Sequence, residues 1–340
     1  MSIKNVDKME FQLHVLNPYV VAFHHRDDFP RGNNEMGPRK MPQGKNSGED
    51  FDPRSDWRMY YGEKTPGFPV HPHRGFETIT IMLEGAADHF DSKGSRGRYG
   101  AGDVQWMTAG SGIQHSEMFP LLNEDKENPM ELFQIWLNLP QKNKFAKPDY
   151  KMFWNEDIPI VYEKDSKGNA IEVKIIAGEY KGVQSLDPLP ASWAYHRENH
   201  VGIALIKLAP QAEFILPGVS DTMNRVLYNN YGEGITIENR VIGEKYFVEL
   251  DGGSDLLIKN GGETTHLLLL EGEPINEPMA ARGPFVMNTD EELREAFSDY
   301  RQTQFGGWPW DSNEPCNAKE MDRFASYSND EVVEYPPKKK

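Results

Sequence analysis

The chain has 340 residues, 38% of them hydrophobic and 26% charged, with a formal net charge of −16. That length suits two domains, and the acidity disfavours direct binding of bare nucleic acid, so a partner protein would have to bring the chain to DNA. One cysteine, Cys316, excludes an internal disulfide framework. The opening MSIKNVDKMEFQLH has no apolar signal-peptide core, and no run approaches the length of a membrane span. A cytoplasmic protein without membrane contact is expected.

Thirty glycines and 24 prolines call for many turns, hence short strands and an all-β fold. In chain order, a strand is expected within residues 11–16 and a short buried one at 17–23. Residues 24–56 then read as a long polar loop rich in Pro, Gly, Asn and Asp, a type of segment that is often functional. From Trp57 the pattern turns to strands. Thr78, Thr80 and Met82 alternate with Ile79, Ile81 and Leu83 at a period of two, DSKGSRG marks a hairpin, and LFQIWLNLP is a strand ending at a proline. Lysines and prolines suggest a domain boundary within 145–170. The β pattern resumes in VKIIAGE, HVGIALIKLAP, AEFILP, YFVELD and HLLLLEGEP. A packing helix follows: Thr289 and Glu292 have capping-box spacing, and Leu293, Ala296, Phe297 and Tyr300 form one apolar stripe. From Cys316 onward the chain is polar, a mobile tail with Cys316 as a bystander.

Two segments carry chemistry, HPHRGFETITIMLEG from His71 and GDVQWMTAGSGIQHSE ending at Glu117. Side chains two apart on a strand share a face, which pairs His71 with His73 and His115 with Glu117. Set side by side in a barrel, the four can converge on one divalent transition metal, for which Fe, Mn, Co, Ni, Cu and Zn all fit. The carboxylate would leave the site formally +1, and a six-coordinate ion would keep two positions open. Glu77 shares parity with His73 but lies about 13 Å along a regular strand, so it is read as a supporting residue. His24, His25, His89, His196, His200 and His266 lack a comparable pairing and are read as structural or exposed.

HPHRGFET, GDVQWMTAG and HSEM, with GPFVMNT and FGGWPW near the end, resemble the pirin family of the cupin superfamily. NPYVVAFHHRDDFPRGN and GEKTPGFPVHPHRG resemble a longer bacterial-type branch. The resemblance spans residues 17–310. Thr108 stands where the general cupin second motif has proline, and four residues separate Gly110 from His115, as in pirins. The resemblance implies a bicupin, two jelly-roll β-barrels face to face with a C-terminal helix. Residues 1–150 would form the metal-binding barrel, 151–310 a metal-free barrel with the closing helix, and 311–340 a polar tail. The implied ligands are His71, His73, His115 and Glu117, with Fe2+ the implied metal. His266 stands alone in the second half. Phe68 and Gln134 are implied at the pocket mouth as substrate-binding residues.

The resemblance further implies a dioxygenase of the quercetin 2,3-dioxygenase type, which opens a flavonol or related enolic aromatic with O2. Glu117 would act there both as ligand and as acceptor of the 3-hydroxyl proton. The alternative is an iron-dependent redox-sensing regulator that binds a partner protein, for which the acidity favours a basic partner. A metal that only braces strands is a third reading, disfavoured because structural sites close their coordination.

Overall fold

The computed structural model describes residues 2–41, 55–327 and 330–338. The chain divides into two compact β units, and each is assembled from two separate stretches. One combines Met1–Ala22 with Asp157–Asn276; the other combines Phe23–Glu156 with Glu277–Lys340.

In the first unit the strand Ile3–Lys8 pairs antiparallel with Tyr246–Asp251, placing Val6 opposite Val248. It forms the edge of a seven-stranded sheet, beside which lies a four-stranded sheet. Their core is aliphatic, with Ile206, Leu208, Leu227, Val248, Ile258 and Leu269 all buried. The N-terminal residues therefore belong with the later half of the chain, not with a 1–150 domain. A local pattern shows that a strand exists but not which strand it pairs with, so the expected boundaries missed this exchange.

The second unit contains β1 (Tyr19–Phe29) from Phe23 onward, β2 (Gly67–His73), β3 (Phe76–Glu84), β4 (Ala86–Asp91) and β5 (Arg96–Gly100). It continues with β6 (Val104–Thr108), β7 (Ile113–Met118), β8 (Asn128–Asn138) and β9 (Asp149–Phe153). One sheet runs β9-β6-β3-β8-β1, and the other carries β5-β4-β7-β2. The alternating run of β3 sits at the sheet centre, where β8 pairs Ile79 with Ile135 and Thr80 with Gln134. The hairpin expected at DSKGSRG joins β4 to β5. β9 pairs with β6, so the half expected to bind metal extends past residue 150 and the units divide between Glu156 and Asp157.

Three further expectations are corrected. Residues 24–29 are not loop: β1 runs through them with His25, Asp27 and Phe29 buried, the alternation of a strand half-covered by a core. Of the expected 24–56 loop, residues 42–54 lie outside the described residues. The helix α1 (Asp290–Thr303) has the capping box at Thr289 and Glu292. It belongs to the second unit, where Leu293 and Ala296 pack with Phe285, Met287 and Phe305, and does not close the later barrel.

The segment after Cys316 is no mobile tail. Phe324–Tyr327 adds a strand beside β5, with Phe324 and Ala325 buried. Ahead of it, the carbonyls of Asn317, Ala318, Lys319 and Met321 accept hydrogen bonds from the buried Arg98 guanidinium. Cys316 is half-buried, and burial, then the Asp88 charge, pushes its thiol up to about 12. No helix among the described residues is long and apolar enough to cross a membrane.

Candidate metal centre

Strands β2 and β7 run antiparallel with His71 opposite His115, so both imidazoles rise from one face. Two residues along β2, His73 points the same way. The ring centroids of His71 and His115 lie 4.4 Å apart, those of His71 and His73 4.8 Å, and those of His73 and His115 4.9 Å. One ligating nitrogen from each ring falls within 4.8 Å of the others. Among the described residues, no other set of three histidine, cysteine or carboxylate side chains lies so close.

The local sequence shapes this corner. Gly75 has φ +86°, and a Cβ there would fall 2.0 Å from the Val286 carbonyl oxygen. Gly112 has φ +126°, and a Cβ there would meet the Phe305 ring at 2.7 Å. Both positions therefore require glycine. Next to Gly75, Arg74 donates from Nε to the Ser111 carbonyl at 2.8 Å and from Nη1 to Asp299 of α1 at 2.9 Å. Its guanidinium lies over the Phe305 ring, 4.3 Å from the centroid. The strand end that carries His73 is thus pinned to the C-terminal helix.

The imidazoles are prepared as neutral donors of electron pairs. His71 donates from Nδ1–H to the Pro69 carbonyl at 2.8 Å, which leaves the Nε2 lone pair available. His73 places Nδ1 3.4 Å from the Pro284 carbonyl. His115 is fully buried, and neither of its ring nitrogens has a hydrogen-bond partner in the protein. A buried polar atom without a partner is costly. A metal ion satisfies His115 in a way the protein does not, so this donor set fits one. Burial above all lowers the pKa of all three rings; the neighbouring imidazoles add to the effect at His73 and His115.

Glu117 sits beside the three histidines and not within their tight cluster. Its Oε2 is 3.9 Å from His115 Nε2. Thr80 Oγ1 donates to its Oε1 at 3.1 Å, and Gln134 Nε2 donates to its Oε2 at 2.6 Å. Glu77 is fully buried and accepts from Thr108 Oγ1 at 2.6 Å, which makes it a supporting residue.

The cluster opens on a cavity of about 470 Å³. Phe68 and Gln134 line it, as do His71, His73 and Glu117. Its walls are largely aromatic, from Phe23, Tyr61, Phe68 and Trp136. Among the lining residues not singled out from the sequence, Trp136 and His25 carry polar atoms. Trp136 shares parity with Gln134 on β8, a signal that could have found it; its buried Nε1–H has no acceptor in the protein. His25, expected to be structural or exposed and inside a loop, reaches the cavity wall from β1. Burial, then the charges of His24 and Arg58, lowers its pKa to about 3.

Two small β-barrels, one presenting a three-histidine cluster to an apolar cavity, define the class: this is a cupin whose N-terminal site can hold a single metal ion. Residues 25–137 match the pirin family and residues 203–306 match the pirin C-terminal cupin domain. Pirin-1 of Arabidopsis thaliana is 37% identical over 243 residues, covering 71% of this chain and 78% of that protein. The chain belongs to the pirin family. A Pseudomonas aeruginosa relative, provisionally named a quercetin 2,3-dioxygenase, is 37% identical over 238 residues, covering 69% of this chain and 79% of that protein. A crystal structure of quercetin 2,3-dioxygenase from Acinetobacter baumannii superposes with a TM-score of 0.71 at 25% identity, covering 90% of this chain and 98% of that one.

Proposed function

We propose that this protein is a metal-dependent dioxygenase of the quercetin 2,3-dioxygenase type, opening a flavonol or related enolic aromatic with O2. One observation carries the reading: three neutral imidazoles, one of them buried without a hydrogen-bond partner in the protein, meet beside an aromatic-lined cavity. The names of the bacterial relative and of the superposed enzyme support the same chemistry.

His71, His73 and His115 would hold one divalent transition metal, Fe2+ in this reading, with Glu117 as a fourth ligand. When bound, the metal supplies Lewis acidity toward the substrate's enolic hydroxyl and a centre at which O2 can react. The chain's own residues do the rest. Gln134 and Thr80 orient the Glu117 carboxylate, which accepts the proton of that hydroxyl. Phe68 and Trp136 offer ring surfaces against which a planar aromatic packs. The apolar wall limits water, and in the drier site the Glu117–hydroxyl contact is stronger.

The test is quercetin loss and O2 uptake by protein loaded anaerobically with Fe(II) and then exposed to air. Turnover above a free-iron control, lost in a correctly folded His115→Ala variant, is expected. An iron-loaded protein without turnover would refute the proposal and favour the redox-dependent regulator, to be sought by pull-downs with the Fe(II) and Fe(III) forms.

A further inference from the structure

Tyr99 is fully buried, and its hydroxyl has no hydrogen-bond partner among the described residues. Leaving a buried hydroxyl unpaired is costly, so its retention needs a physical reason. The strand register shows where it stands. Tyr99 of β5 is opposite Ala87 of β4, and His89, two residues along β4, is opposite Glu117 of β7. Opposite residues share a face of the sheet, as do residues two apart, so Tyr99 and Glu117 rise from the same face. β5 and β7 are two strand spacings apart, about 10 Å, a gap that a tyrosine and a glutamate leaning toward each other span. Ala87 between them is too small to intervene. The phenol accordingly sits beside Glu117 and Thr80, with no hydrogen bond completed to either. Burial, then the Glu117 charge, pushes its pKa well above the usual phenol value, so the hydroxyl keeps its proton.

The Glu117 carboxylate has room for that donor. An ionised carboxylate offers about four lone-pair positions on its two oxygens. Thr80 takes one on Oε1, and Gln134 takes one on Oε2. A bond to a metal held by the three histidines would take a third and leave one more. A hydroxyl donating there makes a charge-assisted hydrogen bond, stronger than one to the neutral Thr80 oxygen.

We propose that Tyr99 is a positioning residue of the metal centre: with Glu117 ligating, the Tyr99 hydroxyl donates to the same carboxylate, fixes its orientation and draws negative charge off it. The inference rests on the proposed metal site with Glu117 as fourth ligand, and not on the dioxygenase chemistry. Groups that hydrogen-bond a metal ligand set its orientation and its donor strength. Charge withdrawn from the carboxylate weakens its donation to the metal, which favours Fe(II) over Fe(III).

Two measurements test this. NMR of protein with 13C-labelled tyrosine rings, zinc-free and zinc-loaded, reads the Tyr99 hydroxyl proton, with the ring assigned through the Ala87 methyl opposite it. The proton should move downfield when zinc is added and lie upfield again in zinc-loaded Glu117→Ala. A wild-type proton indifferent to zinc, or one unmoved by Glu117→Ala, donates elsewhere and overturns the inference. The second measurement is the Fe(III)/Fe(II) midpoint potential. Tyr99→Phe should retain one iron per chain and have a lower potential than the wild type, a change that a merely structural role would not produce; an unchanged or raised potential overturns the inference. Should that variant fail to fold or to hold iron, the hydroxyl shifts decide alone. A wild-type protein that binds no zinc would refute the metal site and this inference with it. A zinc-dependent hydroxyl shift without quercetin turnover by the iron-loaded protein would refute the dioxygenase reading and leave the role of Tyr99 standing.

Discussion

Arg98→Met should destabilise the unit that carries the histidine cluster by about 3–5 kcal/mol, the usual cost of removing one member of a buried ion pair. Arg98 is 2% exposed and Asp88 0%. Arg98 Nε and Nη2 each meet an Asp88 oxygen at 2.7 Å, a bidentate pair, while the same guanidinium serves four carbonyls of residues 317–321. In the variant the Asp88 carboxylate keeps the Asn317 N–H at 2.9 Å, but the countercharge is gone. Methionine fills much of the volume, so the loss is electrostatic and not a cavity effect. Urea unfolding followed by tryptophan fluorescence measures it, with hydrogen exchange over 317–327 reporting release of the C-terminal strand. A loss below about 1 kcal/mol would refute the reasoning. So would an Asp88→Leu/Arg98→Met double variant much less stable than Arg98→Met alone, since removing both charges should recover the part of the loss due to the uncompensated carboxylate and offset the unpairing of the Asn317 N–H.

His115→Ala should abolish stoichiometric binding of Fe(II) or Zn(II), read by elemental analysis after gel filtration; full occupancy would show that His115 is no ligand. The metal-free protein should lose stability as pH falls from 7 to 5. The folded-state pKa of His25 is about 3, against about 6.5 unfolded, so unfolding takes up a proton throughout that window and stability drops by about 1.4 kcal/mol per pH unit below pH 6.5 from this ring alone. His71, His73 and His115 shift in the same direction and steepen the loss. A urea midpoint independent of pH over this range would contradict the burial argument. Thr289→Ala removes the side chain that caps Glu292 N–H at 3.2 Å and should cost α1 about 1 kcal/mol in the same assay; no change would mean that packing of Leu293 and Ala296 alone holds the helix end.

What was legible in the sequence follows the range of each signal. Period-two alternation at residues 78–83, the DSKGSRG hairpin and the Thr289–Glu292 box are local, and each appears where expected. The clustering of His71, His73 and His115 was legible because parity on a strand fixes the face, and the β2–β7 register supplied the convergence; Glu117 shares the parity but stays outside the tight cluster. Long-range partners were not legible. Nothing near Ile3–Lys8 names Tyr246–Asp251, and nothing near Phe324 names Gly97 or Arg98. His25 was missed for another reason: HHRDD is too polar to read as a strand, yet its inward members are satisfied by Tyr60 and Arg58 from a distant segment. Polar pairing of that kind erases the hydrophobic signature on which such a reading depends.

The division of each unit between two stretches of chain also sets an order of events during synthesis. The helix that pins Arg74, and the strand that covers β5, are translated only after the whole of Asp157–Asn276 has been made. At ordinary elongation rates that delay is on the order of ten seconds. A ribosome-bound chain therefore carries His71, His73 and His115 well before the segments that complete the barrel around them are available.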